Sequence, residues 1–260
     1  MQARHPEVLF LSEAFTRPKP MRALAKAGFS QSYTYFTWRN TKAELTAYLT
    51  ELAQDWPKDY LRPNFFPSTP DILPPILQSG GRPAFVTRFV LAATLASVYG
   101  IYNGFELCEA AALPGREEYA DSEKYQYKVW DWDRPGHIKD LIRRVNRIRR
   151  ENPALHQLKT LRFYPADNDQ VLFYGKITQD RTNAVFVAVN LDPHSVQEAH
   201  IEMPLAALGL AADRPYGLDD LLLGHSWQWT GPWQHLRLDP ASNPVAIFRV
   251  RDLAPLAPNP

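Results

Sequence analysis

The chain has 260 residues, of which 29 are Lys or Arg and 28 are Asp or Glu, so its formal net charge is +1. That balance argues against a protein that wraps a polyanion, and we expect no nucleic-acid partner. Hydrophobic residues make up 45% and charged residues 22%, which is typical of a globular protein and excludes disorder over most of the chain.

The first part of the chain alternates between short strands and helices. Helix 41–52 starts with Thr41 followed three residues later by Glu44, a possible capping box. The fourfold alternation is typical of parallel α/β architecture. Strands are predicted over residues 7–11, 31–36, 61–66 and 97–102, and helices over residues 18–27, 41–52, 83–96 and 137–151.

The pattern changes near residue 153. Short strands separated by turn residues predict an antiparallel β-sandwich, and they fall at residues 161–164, 171–177, 184–190, 199–203, 234–238 and 245–250. The predicted organisation is α/β and then all-β, with one domain over 1–153, a β-sandwich over 154–253 and a loose tail over 254–260. Four parallel strands make half of an eight-stranded barrel or an open sheet, and the periodicity does not choose between them.

Two carboxylates follow predicted strands. Glu13 comes after the first strand and Asp71 after the third, and the carboxyl ends of parallel strands hold active sites. Two acids with Tyr and Trp nearby suit sugar chemistry, in which one protonates a glycosidic oxygen and another stabilises an oxocarbenium-like centre. A purely structural interpretation is that Glu13 pairs with Arg17 and that Asp71 caps a turn after Pro70.

Five segments resemble consecutive motifs of one family: residues 9–18, 33–40, 68–73, 99–107 and 122–125. The family is the bacterial maltosyltransferase that uses α-maltose 1-phosphate to extend α-1,4-glucans, and the resemblance covers about residues 5–250. This family belongs to the α-amylase clan of retaining (β/α)8 TIM barrels. The resemblance implies that the four strand–helix units are strands five to eight of such a barrel, followed by the sandwich.

The resemblance also implies roles for individual residues. Glu13 matches the general acid/base, and Asp71 matches the aspartate that stabilises the transition state. Pro70 stands where ordinary amylases have histidine. Lys124 and Tyr125 match the pair that holds the non-reducing glucose of the donor. The family's nucleophilic aspartate follows strand four, and its matching region is not in this chain.

The implied reaction is a double displacement with retention. Its partners are maltose 1-phosphate, an α-1,4-glucan acceptor and inorganic phosphate as product, with a homodimer for the complete enzyme. We expect no cofactor and no metal, and we expect this chain to be inactive alone because it lacks the nucleophile. The alternatives are another hydrolase or isomerase of the amylase clan and a non-catalytic glucan-binding module.

Three other features have simple interpretations. The arginines of segment 143–150 are expected on a solvated helix face rather than in a nucleic-acid patch. Trp227, Trp229 and Trp233 are expected to fill a small sandwich core rather than to form a glucan platform. Cys108 is the single cysteine, so no internal disulfide is possible; we expect a buried or partly buried thiol that is not a nucleophile, and a cytoplasmic location. No run approaches the roughly 18 apolar residues of a membrane span, so we expect no membrane partner.

Overall fold

Four parallel strands and their helices form the first part of the chain in a computed structural model that describes residues 3–251 and 253. The strands pair in the order β1-β2-β3-β4. The predicted alternation is present, and the elements are β1 (Leu11–Ser12), α1 (Pro18–Lys26), β2 (Gln31–Tyr33), α2 (Lys42–Gln54), β3 (Pro63–Phe65), α3 (Pro75–Ser79), α4 (Gly81–Leu95), β4 (Val98–Tyr99) and α5 (Lys139–Glu151).

The strands are shorter than the sequence pattern predicts. Residues 31–36 were expected to form one strand, but β2 ends at Tyr33, and Tyr35–Trp38 form a 3-10 helix. The Thr34 hydroxyl accepts a hydrogen bond from the Phe36 amide, and the Phe36 ring stacks on Phe65 at 4.6 Å. Capping and aromatic packing therefore override strand propensity here. The capping box of Thr41 and Glu44 on α2 is confirmed.

The second part is an antiparallel sandwich, as predicted. Its larger sheet has the order β10-β9-β12-β7-β6-β5, and its smaller sheet pairs β11 with β8. The elements are β5 (Leu161–Phe163), β6 (Val171–Ile177), β7 (Ala184–Asn190), β8 (Gln197–Glu202), α6 (Leu205–Leu208), β9 (Tyr216–Asp220), β10 (Ser226–Trp229), β11 (Trp233–Leu238) and β12 (Val245–Val250). The sequence pattern did not predict β9 and β10. The expected tail over 254–260 lies outside the described residues.

The central strands of the larger sheet are buried on both faces. Along β6, Leu172 and Tyr174 pack into the core that contains α4, whereas Val171 and Phe173 pack into the core beneath the smaller sheet. Alternate residues of a strand point to opposite faces, so every residue of β7 is buried. The sandwich and the parallel sheet therefore share one hydrophobic core through α4.

The carboxyl end of α4 is held by two basic side chains from other elements. Lys176 of β6 donates to the Leu95 carbonyl at 2.8 Å, and Arg149 of α5 donates to the Ala96 carbonyl at 2.7 Å and to the Ser97 carbonyl. These bonds satisfy carbonyls that a helix end leaves without partners. The expectation of a solvated arginine face is therefore wrong at Arg149, because α5 packs directly against α4.

None of the helices within residues 3–251 and 253 is long and apolar enough to cross a membrane.

Lys176 generates a prediction about stability and pH. Its amino group is buried, and burial holds the pKa of Lys176 well below the ordinary value. Between that lowered pKa and the unfolded value of about 10.4, the unfolded chain binds more protons, so the free energy of unfolding rises with pH. We expect Lys176→Met to remove this component. The free energy of unfolding of the variant minus that of the unaltered chain should decrease as the pH is raised from about 7 to 9.5.

The control for this measurement is Lys58→Met. Lys58 is exposed and, like Lys176, donates to a backbone carbonyl, that of Gln54, at 2.8 Å. Urea denaturation at several pH values gives both differences. The stability change caused by Lys58→Met should not depend on pH. If the stability change caused by Lys176→Met is equally independent of pH, the buried amine does not titrate in this way.

Candidate functional site

The parallel order of β1–β4 brings the loops after these strands to one edge of the sheet. Glu13 follows β1 directly and its side chain is exposed. Asp71 lies in the loop after β3. In the sheet β3 is the second neighbour of β1, so the two strands are about 10 Å apart at the usual strand spacing. The two predicted carboxylates therefore lie on the same edge of the sheet. Glu13 does not form an ion pair with Arg17 in the described structure, so the structural interpretation of Glu13 is not supported.

A row of aromatic rings lies at this edge. Tyr33 stacks on Phe66 at 4.7 Å, and its other neighbour is Phe15, edge-on at 5.7 Å. Phe15 in turn meets Trp38 edge-on at 5.1 Å. Burial raises the pKa of Tyr33, and the nearby charge of Glu13 raises it further. The rings make an apolar floor beside Glu13, of the kind that sugar rings pack against.

Asp71 forms an ion pair with Lys124, a residue 53 positions later in the chain. The hydrogen bond to Asp71 is the main cause of a raised pKa at Lys124. The carboxylate does not cap the turn after Pro70; the Asp71 amide instead donates to the Thr69 hydroxyl at 3.2 Å. Two predicted site residues from different motifs thus meet directly.

The segment before Lys124 lies along the loop that carries Asp71. The Leu73 amide donates to the Glu117 carbonyl at 2.8 Å, and the Tyr119 hydroxyl donates to the hydroxyl of Ser68 at 2.9 Å. The Ser122 hydroxyl donates to the Pro70 carbonyl at 3.1 Å. We call residues 117–124 the strap. It fixes the backbone on both sides of the Asp71–Lys124 pair.

Glu123 anchors the end of the strap, a role that sequence reasoning missed. Its carboxylate accepts hydrogen bonds from Asn103 Nδ2 at 2.7 Å and from Trp130 Nε1 at 2.9 Å, and these bonds lower its pKa. The Trp130 ring passes over Gly104, where a Cβ atom would come within 2.3 Å of it. Gly104 also has a φ of +87°, which favours glycine. The only signal in the sequence is the position of Glu123 inside the motif at residues 122–125.

Tyr125 is brought to the site but makes little contact. Its side chain is 79% exposed, and the Lys124 ammonium lies 5.3 Å from the centre of its ring. Tyr127 is even more exposed, at 95%. Lys124 and Tyr125 therefore project from the end of the strap beside Asp71, where a ligand could contact both.

The face of the parallel sheet that carries Tyr33 is only partly covered. Asn64 Nδ2 donates to Gln31 Oε1 at 3.3 Å across this face, and Leu11 is 53% exposed on β1. In the described part of the chain β1 pairs only with β2, and β4 only with β3. The site residues therefore lie at the carboxyl end of a sheet whose two outer strands, β1 and β4, are each unpaired on one side.

The remaining sequence expectations have mixed outcomes. Cys108 is partly buried, as expected, and burial raises its pKa to about 11. The expectation that three tryptophans fill the sandwich core is wrong for Trp227 and Trp233, which are 45% and 50% exposed. Trp227 lies on β10, an edge strand of the larger sheet that the two strands of the smaller sheet do not cover, whereas Trp233 is the exposed first residue of β11 in the smaller sheet itself. Over residues 3–251 and 253, no group of three or more His, Cys, Asp or Glu side chains is placed to hold a metal ion.

Solved structures identify the class of fold. An α-amylase from Geobacillus thermoleovorans, solved with acarbose, aligns with 96% of this chain and 55% of its own, with a TM-score of 0.70 at 13% identity. A γ-cyclodextrin glucanotransferase from alkalophilic Bacillus clarkii covers 95% of this chain and 36% of its own, with a TM-score of 0.61 at 16% identity. The chain therefore has an α-amylase-like fold.

Proteins with similar sequences indicate a family within this fold class. Residues 163–250 match the family described as "GLGE, C-terminal". The α-1,4-glucan:maltose-1-phosphate maltosyltransferases of Rhodospirillum rubrum and Pseudomonas aeruginosa are 62% and 55% identical to the chain over 96% of its length. The chain spans 36% and 38% of the length of these two relatives. It resembles the C-terminal part of the maltosyltransferase family.

The strap generates a prediction about stability. Tyr119 is 4% exposed, and its hydroxyl bonds to the fully buried hydroxyl of Ser68. Tyr119→Phe leaves that buried hydroxyl without its partner, so we expect the free energy of unfolding to fall by about 1–3 kcal/mol. Faster amide hydrogen exchange should accompany it in residues 66–73 and 117–124. Tyr127→Phe, at an exposed position, is the control, and equal stability of the two variants would contradict a structural role for the strap.

Proposed function

We propose that this chain is the part of a retaining maltosyltransferase that supplies the general acid/base, the transition-state-stabilising carboxylate and the donor-binding pair. The donor is α-maltose 1-phosphate, the acceptor is the non-reducing end of an α-1,4-glucan, and phosphate is the product. The proposal depends above all on the Asp71–Lys124 ion pair, since it joins two separate motifs at the edge that also holds Glu13. The 62% identity to a maltosyltransferase supports it.

In this proposal β1–β4 are strands five to eight of a (β/α)8 barrel, and a domain boundary falls near residue 153. The all-parallel order, the two free edges and the partly uncovered face of the sheet support the barrel assignment. The same order puts the loops after β1 and β3 at the carboxyl-end face, where the active sites of such barrels lie. The homodimer of the complete enzyme and a cytoplasmic location are part of the same proposal.

Glu13 has the chemistry of the proton-transfer residue. A carboxylic acid beside the anomeric carbon protonates the departing phosphate oxygen, and the resulting carboxylate then removes the proton from the 4-hydroxyl of the glucan. The nucleophile of this double displacement lies outside the residues of this chain. The exposed position of Glu13 directly after β1 leaves its carboxyl group open to a substrate at the face of the sheet.

Asp71 and Lys124 have complementary roles. An ionised Asp71 stabilises the positive charge that develops at the sugar ring, and a cationic Lys124 donates hydrogen bonds to sugar hydroxyls. Because both side chains are about half exposed, their ion pair opens at little cost when a donor enters. Tyr125 presents an exposed aromatic face beside Lys124 for the non-reducing glucose.

A chimeric enzyme tests the proposal. The matching C-terminal part of the Rhodospirillum rubrum relative is replaced by residues 5–250 of this chain, and phosphate release from maltose 1-phosphate is measured with maltoheptaose as acceptor. We expect the chimera to be active. Glu13→Gln should lower kcat by about 10²–10⁴-fold, since general acid–base catalysis contributes about that much. Asp71→Asn should also lower kcat.

The matched control is Glu7→Gln, which removes an exposed carboxylate from the same segment and should leave kcat unchanged. A folded chimera that releases no phosphate, or in which Glu13→Gln and Glu7→Gln behave alike, would refute the proposal. Release of free maltose with no extension of the acceptor would favour a hydrolase of the same clan.

The isolated chain generates a separate prediction. Since the nucleophile is not among its residues, the purified 260-residue chain should release no phosphate from maltose 1-phosphate. A coupled phosphate assay with a glucan acceptor measures this directly, and the active chimera is the positive control. Phosphate release above the background of a Glu13→Gln chain would show that this chain contains a nucleophile of its own.

A further inference from the structure

Glu123 and Lys124 are neighbours in the chain, but their side chains lie in different surroundings. The Lys124 ammonium meets the Asp71 carboxylate, and these two side chains are 44% and 49% exposed. An ion pair in such a setting is weak, because water screens it and ordering a long side chain costs entropy. The ion pair alone therefore does not fix Lys124 in one place.

The carboxylate of Glu123, in contrast, is held on both of its oxygens. Oε2 accepts a hydrogen bond from Asn103 Nδ2 at 2.7 Å, and Oε1 accepts one from Trp130 Nε1 at 2.9 Å. The backbone amide of Glu123 donates to the Tyr102 hydroxyl at 3.2 Å. Hydrogen bonds to an ionised group are roughly twice as strong as those between neutral groups. Glu123 thus joins the strap to the loop after β4 and to the segment that follows the strap.

The groups that hold this carboxylate are themselves fixed by packing. The Lys128 ammonium lies 4.3 Å from the centre of the Trp130 ring and 3.6 Å from the Glu109 carboxylate. The rings of Tyr102 and Tyr119 pack with their centres 5.3 Å apart. Partners that are locked in this way hold a neighbouring residue in a defined position.

The backbone at Lys124 is confined from its other side as well. The Lys124 amide donates to the Ser122 hydroxyl at 3.4 Å, and that hydroxyl donates to the Pro70 carbonyl at 3.1 Å. Glu123 lies between these two residues and is the one with charged, inward-directed anchoring bonds. The place from which Lys124 projects towards Asp71 is therefore set by Glu123.

We propose that Glu123 is a positioning residue for donor binding and that it acts through Lys124. Glu123 does not touch the sugar; it holds the segment from which Lys124 reaches the non-reducing glucose of the donor. This inference rests on the proposed function, in which Lys124 binds maltose 1-phosphate. Without Glu123 the segment is free to move, and the donor must order it on binding, at a cost in affinity. Lys124 holds this glucose equally before and in the transition state, so the cost falls on KM rather than on kcat.

The chimera of residues 5–250 with the Rhodospirillum rubrum relative allows KM for maltose 1-phosphate to be measured at saturating maltoheptaose. We expect Glu123→Ala to raise KM about tenfold and to change kcat less than about twofold. Trp130→Phe removes one of the two hydrogen bonds to Glu123 but keeps an aromatic ring, and it should raise KM about threefold. Glu118→Ala is the matched control and should leave KM unchanged, since it removes a strap carboxylate whose partner is the exposed Arg116 at 3.6 Å.

A double-mutant cycle separates the positioning of Lys124 from a general loss of structure. In a Lys124→Ala chimera, Glu123→Ala should raise KM by less than about twofold, because the residue through which it acts is gone. A rise of about tenfold in that background as well overturns the proposal. So does an equal KM in the Glu123→Ala and Glu118→Ala chimeras, or a fall in kcat with KM unchanged. Thermal unfolding of each variant confirms that it is folded.

The 260-residue chain gives a second measurement, which needs no enzymatic activity. Lysine Cε resonances followed by NMR across pH report the pKa of Lys124, which the hydrogen bond to Asp71 raises. Asp71→Asn should lower this pKa, and Glu123→Ala should lower it too, because a displaced Lys124 loses its partner. Trp130→Phe, which changes no charge, should shift the pKa in the same direction. Glu118→Ala, which removes the same charge as Glu123→Ala, should leave it unchanged.

The Lys124 resonance is assigned by its disappearance in a Lys124→Arg chain. If the pKa of Lys124 is the same in the unaltered, Glu123→Ala and Trp130→Phe chains, the proposal is overturned, whether or not the chimera is active. A chimera that is inactive in every form refutes the proposed function, and the pKa of Lys124 then decides by itself whether Glu123 sets its position.

Discussion

The burial of α4 is the constraint on which the rest of the structure depends. Its residues from Ala84 to Leu95 are all buried, including Arg88. Arg88 donates to the carbonyls of Arg39 and Phe36 at 2.6 and 2.5 Å, and its guanidinium lies over the Phe36 ring at 4.0 Å. Burial lowers the pKa of Arg88 to about 9, so these contacts must offset the loss of hydration. A helix buried in this way needs a cover on each side.

The two covers are the parallel sheet and the larger sheet of the sandwich. Tyr174 and Lys176 of β6 contact the end of α4, through the Thr94 hydroxyl at 2.6 Å and the Leu95 carbonyl at 2.8 Å. β4 begins three residues after α4 ends, and the long segment that follows contains the strap. The sandwich therefore supports α4, which in turn packs beneath the parallel sheet that carries the site loops.

The opposite face of the larger sheet is covered only in part. Two strands cover the centre of that face but not β10, and a groove beside Trp227 is the result. The shape of the second sheet, rather than the composition of the strand, decides that Trp227 is accessible.

The sequence by itself determined the order of strand–helix units, the change to antiparallel strands, the capping box at Thr41 and the two carboxylates that follow strands. These features depend on periodicity and on neighbours within a few residues, and such local preferences can be read directly. Motifs extending over several residues carried the resemblance to maltosyltransferases. Only the tertiary structure decided that Asp71 pairs with Lys124, that Glu123 anchors the strap, and that β9 and β10 leave Trp227 exposed. Each of these contacts joins segments that are far apart in the chain. Which distant segments meet is decided by strand pairing and side-chain packing, and local sequence patterns do not reveal it.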